Sequence, residues 1–254
     1  SLVDYEVSGA VACITLDRPP VNALDVDLIA ALDHAIGCAE HPAVRAVVLT
    51  GRHHFAAGAD IKAFARSVKS GDGDPQASAL AAVIRRLERL EKPTIAAVSG
   101  YALGGGLELV LGADFRFLAD DAVIGQPEIL LGIIPGAGGT HRLTRLVGYQ
   151  RAKEMVLSGR QIGAAEALAT GIADEVVPAA DLLDHAMEVA AAWANGPTRA
   201  YWAAKRALGD GYGEPTPAAL EIERSAFEEV FATRDAQAGI EAFVAKETPH
   251  FEGR

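Results

Sequence analysis

The chain has 254 residues, half of them hydrophobic and 6% aromatic, which suits one large domain, or a core with a small appendage, around a mostly aliphatic interior. With 23 Lys and Arg against 34 Asp and Glu the formal charge is −11, and no basic run relieves it. That balance counts against nucleic acid or an anionic membrane as partner, and an anionic ligand would need a local basic pocket. No apolar run approaches the ~20 residues of a membrane-spanning helix. The opening Ser1-Leu2-Val3-Asp4-Tyr5-Glu6 lacks the basic and apolar regions of a signal peptide. Cys13, in an apolar strand pattern, and Cys38, near a helix end, read as packing residues rather than a bridge, so a reducing cytoplasm is the expected setting.

In chain order, Val11–Leu16 reads as a strand stopped by Asp17-Arg18-Pro19-Pro20. From Asp25 to Ala39 the spacing of Leu28, Ile29, Leu32 and Ile36 is helical, with Asp25 as its cap. Val44–Thr50 is a strand turned at Gly51, and Phe55–Lys62 runs from small residues into a helix start. Ser67–Gln76 is the loosest stretch and reads as a mobile surface loop. Ala79–Leu90 is amphipathic, Thr94–Val98 is a strand, and Asp114–Leu118 and Ala122–Ile124 are strand-like. Helical spacing then covers Arg142–Leu146, Arg151–Leu157 and Ala164–Ala169 before a short strand at Asp174–Val177. Four helices follow, Asp181–Ala194, Thr198–Leu208, Pro217–Phe231 and Asp235–Lys246, with Gly196-Pro197 as a clean break. Strands alternate with helices as far as about Pro178 and a helical tail follows, which makes the class α/β.

The chemistry concentrates between Thr94 and Gly139. Gly104-Gly105-Gly106 joins the strand Thr94–Val98 to the helical run Leu107–Leu111, and three glycines there let the backbone approach another group closely. The N–H groups at such a helix start favour developing negative charge. Glu108 stands three residues after Gly105 and so on the same helix face, in a helix apolar nearly all round, which predicts a semi-buried carboxylate. A second acid, Glu128, follows in Ile124-Gly125-Gln126-Pro127-Glu128-Ile129, and Gly136-Ala137-Gly138-Gly139 closes the segment. An amide of oxyanion type beside two acids suits an enzyme that stabilises an enolate and moves protons.

Other chemistries fail on spacing. G-x-G-x-x-G is missed because positions 109 and 141 are Leu and His, and Gly105 is followed by Gly106-Leu107 rather than the Lys-Ser/Thr of a phosphate loop. No G-x-S-x-G elbow occurs, and the seven histidines show no metal-ligand spacing. His53-His54 read as solvated turn residues.

Four stretches together resemble the crotonase family of enoyl-CoA hydratases and isomerases, over essentially the whole chain. They are Asp17-Arg18-Pro19 with Asn22–Asp25, Phe55–Lys62, Ala96–Glu108 and Gly125–Gly136. The resemblance implies a crotonase-like spiral of ββα turns over residues 1–194 and a helical oligomerisation region over 195–254 that builds trimers, often paired into hexamers. It implies hydration of a trans-2-enoyl-CoA, with coenzyme A as part of the substrate and no separate cofactor. The thioester oxygen would be held by the amides of Ala59 and Gly105, and Glu108 and Glu128 match the two catalytic acids. Ala23, Leu24, Ala57, Asp60, Ile61 and Lys62 fall among the family's substrate and coenzyme A positions. Phe243 and Lys246 fall where a neighbouring subunit reaches the same group. Ser99 departs from an expected Asn, which bears on acyl specificity more than on the reaction. A double-bond isomerase of the same family, or a non-catalytic acyl-CoA binder, is the rival reading; retention of both acids favours hydration.

Overall fold

The computed structural model describes residues 1–58 and 75–254, with the backbone alone at Pro75. Ala59, Asp60, Ile61, Lys62 and nearly all of the 67–76 stretch lie outside the described residues. The chain opens with an antiparallel pair, β1 (Val3–Ser8) and β2 (Val11–Leu16). Then follow α1 (Val26–Ala39), β3 (Ala46–Gly51), α2 (Pro75–Glu88) and β4 (Thr94–Val98). β2, β3, β4, β6 (Phe115–Ala119) and β9 (Glu175–Val177) pair in parallel, completing a six-stranded sheet in the order β1-β2-β3-β4-β6-β9. A smaller sheet takes the order β5 (Tyr101–Leu103), β7 (Val123–Gly125), β8 (Gln161–Gly163).

The apolar runs are continuous in β3 and β4 because both faces are covered. Val47, Leu49, Ala96 and Val98 face the larger core with α1 and α2, whereas Ala46, Val48, Ile95 and Ala97 face a second core. That second core is closed by α7 (Leu182–Ala194), whose Leu182, Ala186, Ala190 and Ala194 recur every four residues. Small side chains on this stripe let the helix lie close to Ala46 and Ala97. In α1 the expected cap is present: Asp25 Oδ1 accepts from Leu28 N–H at 2.9 Å, and Leu28, Ile29, Leu32 and Ile36 are buried.

Three strands escaped the sequence reading. β1 has only Val3 buried, and β5 and β8 have three residues each, so none presents the continuous run that marks β3. Of the two free cysteines, Cys13 is half-buried, but Cys38 is exposed on α1, its Sγ 3.7 Å from His34 Nε2, so it is no core packing residue. His54 is less solvated than expected: its Nδ1 accepts from Tyr101 N–H at 3.3 Å and its ring stacks on Tyr101.

α4 (Gly139–Val147) packs on α5 (Tyr149–Ser158), α6 (Ala164–Thr170) lies against β7 and β8, and the chain ends in α8 (Thr198–Gly211), α9 (Thr216–Phe231) and α10 (Arg234–Ala245). Leu220, Phe227 and Phe231 on α9, with Ile240, Phe243 and Val244 on α10, are exposed in the single chain. Among the described residues no helix is long and apolar enough to cross a membrane.

Candidate active site

The glycine triplet sits where the two sheets meet. Ala56 bridges to Ala102 beside β5, Leu103 N–H donates to Ala56 carbonyl at 3.0 Å, and Gly104 N–H donates to Gly125 carbonyl at 2.9 Å. The six-residue helix α3 (Gly105–Val110) starts immediately after this crossing. Gly104 adopts φ 53° and ψ −124°, a conformation closed to residues with a Cβ. A Cβ on Gly106 would stand 2.1 Å from Ala56 carbonyl oxygen, so the approach of α3 to the strand end requires glycine there. The first bond of α3 runs from Glu108 N–H to Gly104 carbonyl, which leaves Gly105 among the N–H groups without an intrahelical acceptor.

Both acids come to this turn. Glu108 is deeper than the semi-buried position expected, at 3% exposure, because α3 is packed on all sides. Its Oε1 accepts two backbone N–H bonds, from Ala137 and Gly139, each at 2.7 Å. Burial raises the Glu108 carboxyl above its ordinary range, and these amides together with the Arg142 guanidinium pull it back. Glu128 lies in the 3-10 turn Pro127–Leu131 that follows β7. Its Oε1 comes within 3.1 Å of where a Cβ on Gly104 would be, so it closes over the glycine turn. Burial pushes the Glu128 carboxyl up to about 7, and the nearby Glu108 charge adds to the rise.

Gln126, fully buried, was not singled out by sequence reasoning. With its amide nitrogen turned toward Glu128, the orientation its hydrogen-bonding surroundings favour, it donates to Oε1 at 2.9 Å and Oε2 at 3.1 Å. A glutamine at the end of a buried strand, two residues before an acid, was the available signal. The cradle of Glu108 was likewise missed, although its glycine-rich sequence stood out.

Of the remaining expected positions, Leu24 is buried, its N–H donating to Gly58 carbonyl at 2.8 Å and its Cδ1 lying 3.3 Å from where a Cβ on Gly105 would be. Ala57 N–H donates to Val21 carbonyl at 2.9 Å, and Ala23 carbonyl accepts from Arg18 at 3.0 Å. Ala23, Leu24 and Ala57 are thus gathered beside the triplet. Phe243 and Lys246 stand apart at the end of α10, a helix packed on α9 and tied to the C-terminal tail, where Asp235 accepts from Glu252 and Gly253 N–H. Phe243 is 84% exposed and so is no core residue of its own chain. Among the described residues no His, Cys, Asp and Glu cluster is suited to a metal ion.

A cavity of about 650 Å³ lies elsewhere, between α8, α4 and the C-terminal end of α3, lined by residues such as Trp202, Tyr212 and Lys205. Its acids are engaged in ion pairs, Asp210 with Arg89, Asp114 with Lys205 and Glu88 with Arg142, so it offers no pair of free carboxyls for proton transfer.

A family model described as enoyl-CoA hydratase/isomerase matches residues 6–254. The short-chain-enoyl-CoA hydratase of Clostridium acetobutylicum is 40% identical over 248 residues, 96% of this chain and 95% of that protein. The 2,3-dehydroadipyl-CoA hydratase of Escherichia coli is 41% identical over 253 residues, 96% of each. Among solved structures, an enoyl-CoA hydratase from Bacillus anthracis superposes with a TM-score of 0.92 at 36% identity, covering 100% of both chains. The fold is therefore crotonase-like, as the sequence resemblance implied. With matches of this extent in sequence and in structure, the chain belongs to the enoyl-CoA hydratase/isomerase family.

Proposed function

We propose that the protein hydrates a trans-2-enoyl-CoA to the 3-hydroxyacyl-CoA, using Glu108 and Glu128 around one water and the amides of Gly105 and Ala59 as the oxyanion hole. The observation that carries this reading is the pair itself: a buried and a half-buried carboxyl at one glycine turn, the first bound by two amides and the second raised to about 7. Conjugation with the thioester makes C3 electrophilic, and attack by water places negative charge on the thioester oxygen. Preorganised N–H donors stabilise that charge, each being worth ~3–4 kcal/mol.

Oε1 of Glu108 is occupied by the Ala137 and Gly139 amides, which leaves Oε2 to orient the water and take its proton as the C3–O bond forms. Glu128, whose carboxyl is pushed up to about 7 and so still holds a proton in a sizeable fraction near neutral pH, delivers that proton to C2 as the enolate collapses. One proton leaves the water and one arrives at C2, so the sum is addition of H and OH. Ala23, Leu24, Ala57, Asp60, Ile61 and Lys62 would line the substrate and coenzyme A path. The exposed Phe243 and Lys246 of a neighbouring copy would complete it in a trimer or hexamer, and the apolar surfaces of α9 and α10 support such an assembly. The free thiols fit a reducing cytoplasm.

The test follows the conjugated enoyl-thioester absorbance of crotonyl-CoA with purified protein. Catalytic loss of that absorbance is expected. Binding with unchanged absorbance, for this and for longer 2-enoyl chains, would overturn the reading in favour of a non-catalytic acyl-CoA binder.

A further inference from the structure

We propose that Arg142, held by Glu88, is a positioning residue that shapes the 136–139 turn into the amide cradle of Glu108. The proposal rests on the reading of Glu108 as one of the two acids and adds the residues that set its geometry.

Three successive peptide units make the cradle. The Ala137 and Gly139 N–H groups both point at Glu108 Oε1, at 2.7 Å each, while the carbonyl of Ala137 between them points the opposite way. That carbonyl accepts from Arg142 Nη1 at 3.0 Å. Gly138, at φ 103°, supplies the left-handed residue that such a reversal needs. Pulling the central carbonyl outward is what lets the two flanking N–H groups converge on one oxygen.

Arg142 is itself fixed from the far side. Its Nη2 lies 2.9 Å from Glu88 Oε2 and its Nε 3.4 Å from Oε1, a fork-to-fork pair with the last residue of α2. The Arg142 side chain is mostly covered, at 15% exposure, while its Glu88 partner is 42% exposed, so the pair is shielded on the arginine side alone. The cradle leaves little slack, since a Cβ on Gly139 would stand 2.9 Å from Glu108 Cγ. The charged groups facing Glu108 among the described residues are Arg142 from α4 and Glu128 from the 3-10 turn; α3 carries no other ionisable side chain, and Glu88 reaches it through Arg142. Loss of Arg142 therefore frees the turn and removes the cation that, among the described residues, favours ionised Glu108.

The experiment uses Arg142→Met, Arg142→Lys and Glu88→Gln in the full-length protein. In Arg142→Met, kcat falls about tenfold to hundredfold with little change in KM, the cost of a reacting group displaced by a fraction of an ångström to 1 Å. Lysine, a point charge without the fork, restores part of the loss, and Glu88→Gln gives a smaller effect in the same direction. In parallel, carboxyl-carbon NMR of protein labelled at glutamate, assigned with Glu108→Gln, follows Glu108 itself. Its titration moves to higher pH in Arg142→Met and, less, in Glu88→Gln. A folded Arg142→Met protein with native Glu108 titration and native kcat overturns the proposal, and so does a loss of activity that tracks melting temperature while the titration stays in place. If Arg142→Met does not fold, the lysine and Glu88 variants decide by the same two readouts. The titration needs no turnover, so it reads the cradle even if the native protein leaves 2-enoyl thioesters unhydrated, the result that would remove the hydratase reading instead.

Discussion

Glu108 and Glu128 meet at one glycine turn, yet their surroundings treat charge differently. Glu108, on the packed helix α3, is the more deeply buried, but it receives two backbone N–H bonds and lies near a guanidinium. Glu128, on a 3-10 turn, receives a neutral amide from Gln126, and its carboxyl is pushed up to about 7. Depth alone would make Glu108 the harder to ionise. The difference lies in what has been built around each oxygen: two backbone donors and the Arg142 guanidinium counter the rise that burial imposes on Glu108, whereas burial and the Glu108 charge push the shallower Glu128 up to about 7. On the proposed reading, this difference would let two like groups serve as base and acid, the usual way one site runs both halves of a proton-transfer reaction at a single pH.

The largest effects should come from erasing the comparison. Glu108→Gln and Glu128→Gln should each lower kcat by ~10²–10⁴-fold, the contribution of a positioned acid or base, in the crotonyl-CoA assay. A loss confined to one of them would break the two-acid account and favour a single proton shuttle. Next in size, Gln126→Leu removes the donor to Glu128 and should cost about tenfold to hundredfold in kcat, from ~1–3 kcal/mol for a buried partner left unpaired. Unchanged turnover would mean that Gln126 only fills space.

Stability supplies a smaller effect with a defined sign. Glu128 holds its proton up to about 7 in the native state against 4.5 as the ordinary value. The native state thus binds more protons than the unfolded chain in that window, and stability falls as pH rises through it, levelling above. Glu128→Gln lacks this slope, so it should gain ~1–3 kcal/mol on the native protein between pH 5 and pH 8 in urea melts. Parallel curves for the two proteins would show that Glu128 titrates normally. The smallest change expected is a KM raised about two- to fivefold in Phe243→Ala with kcat intact, as for a contact at the rim of an interface. A lowered kcat with native KM would place Phe243 elsewhere.

What could be read from the sequence followed from how completely each segment is buried. β3 and β4 were legible because cores lie on both faces and every residue is apolar or small, and α1 was legible from its period and its Asp25 cap. β1 pairs only with β2, at the edge of the sheet, and most of its side chains face solvent, so Val3-Asp4-Tyr5-Glu6-Val7-Ser8 carries no clear alternation. At the site, the triplet and both acids were visible because glycines between strand and helix, and a glutamate among leucines, are costly unless used. Arg142 and Gln126 were not visible as site residues. Their roles depend on which carbonyl and which carboxyl they meet, and Arg142 lies 54 residues from its partner Glu88. Phe243 was placed by the family resemblance alone, and the fold leaves it exposed in the single chain.

The most direct measurement of the central claim is a carboxyl-carbon NMR titration of the two glutamates in the native protein without substrate, each assigned by its glutamine variant. The account predicts that Glu128 titrates near 7 and Glu108 below it, despite its deeper burial. Glu108 titrating above Glu128, or both at ordinary glutamate values, would contradict it.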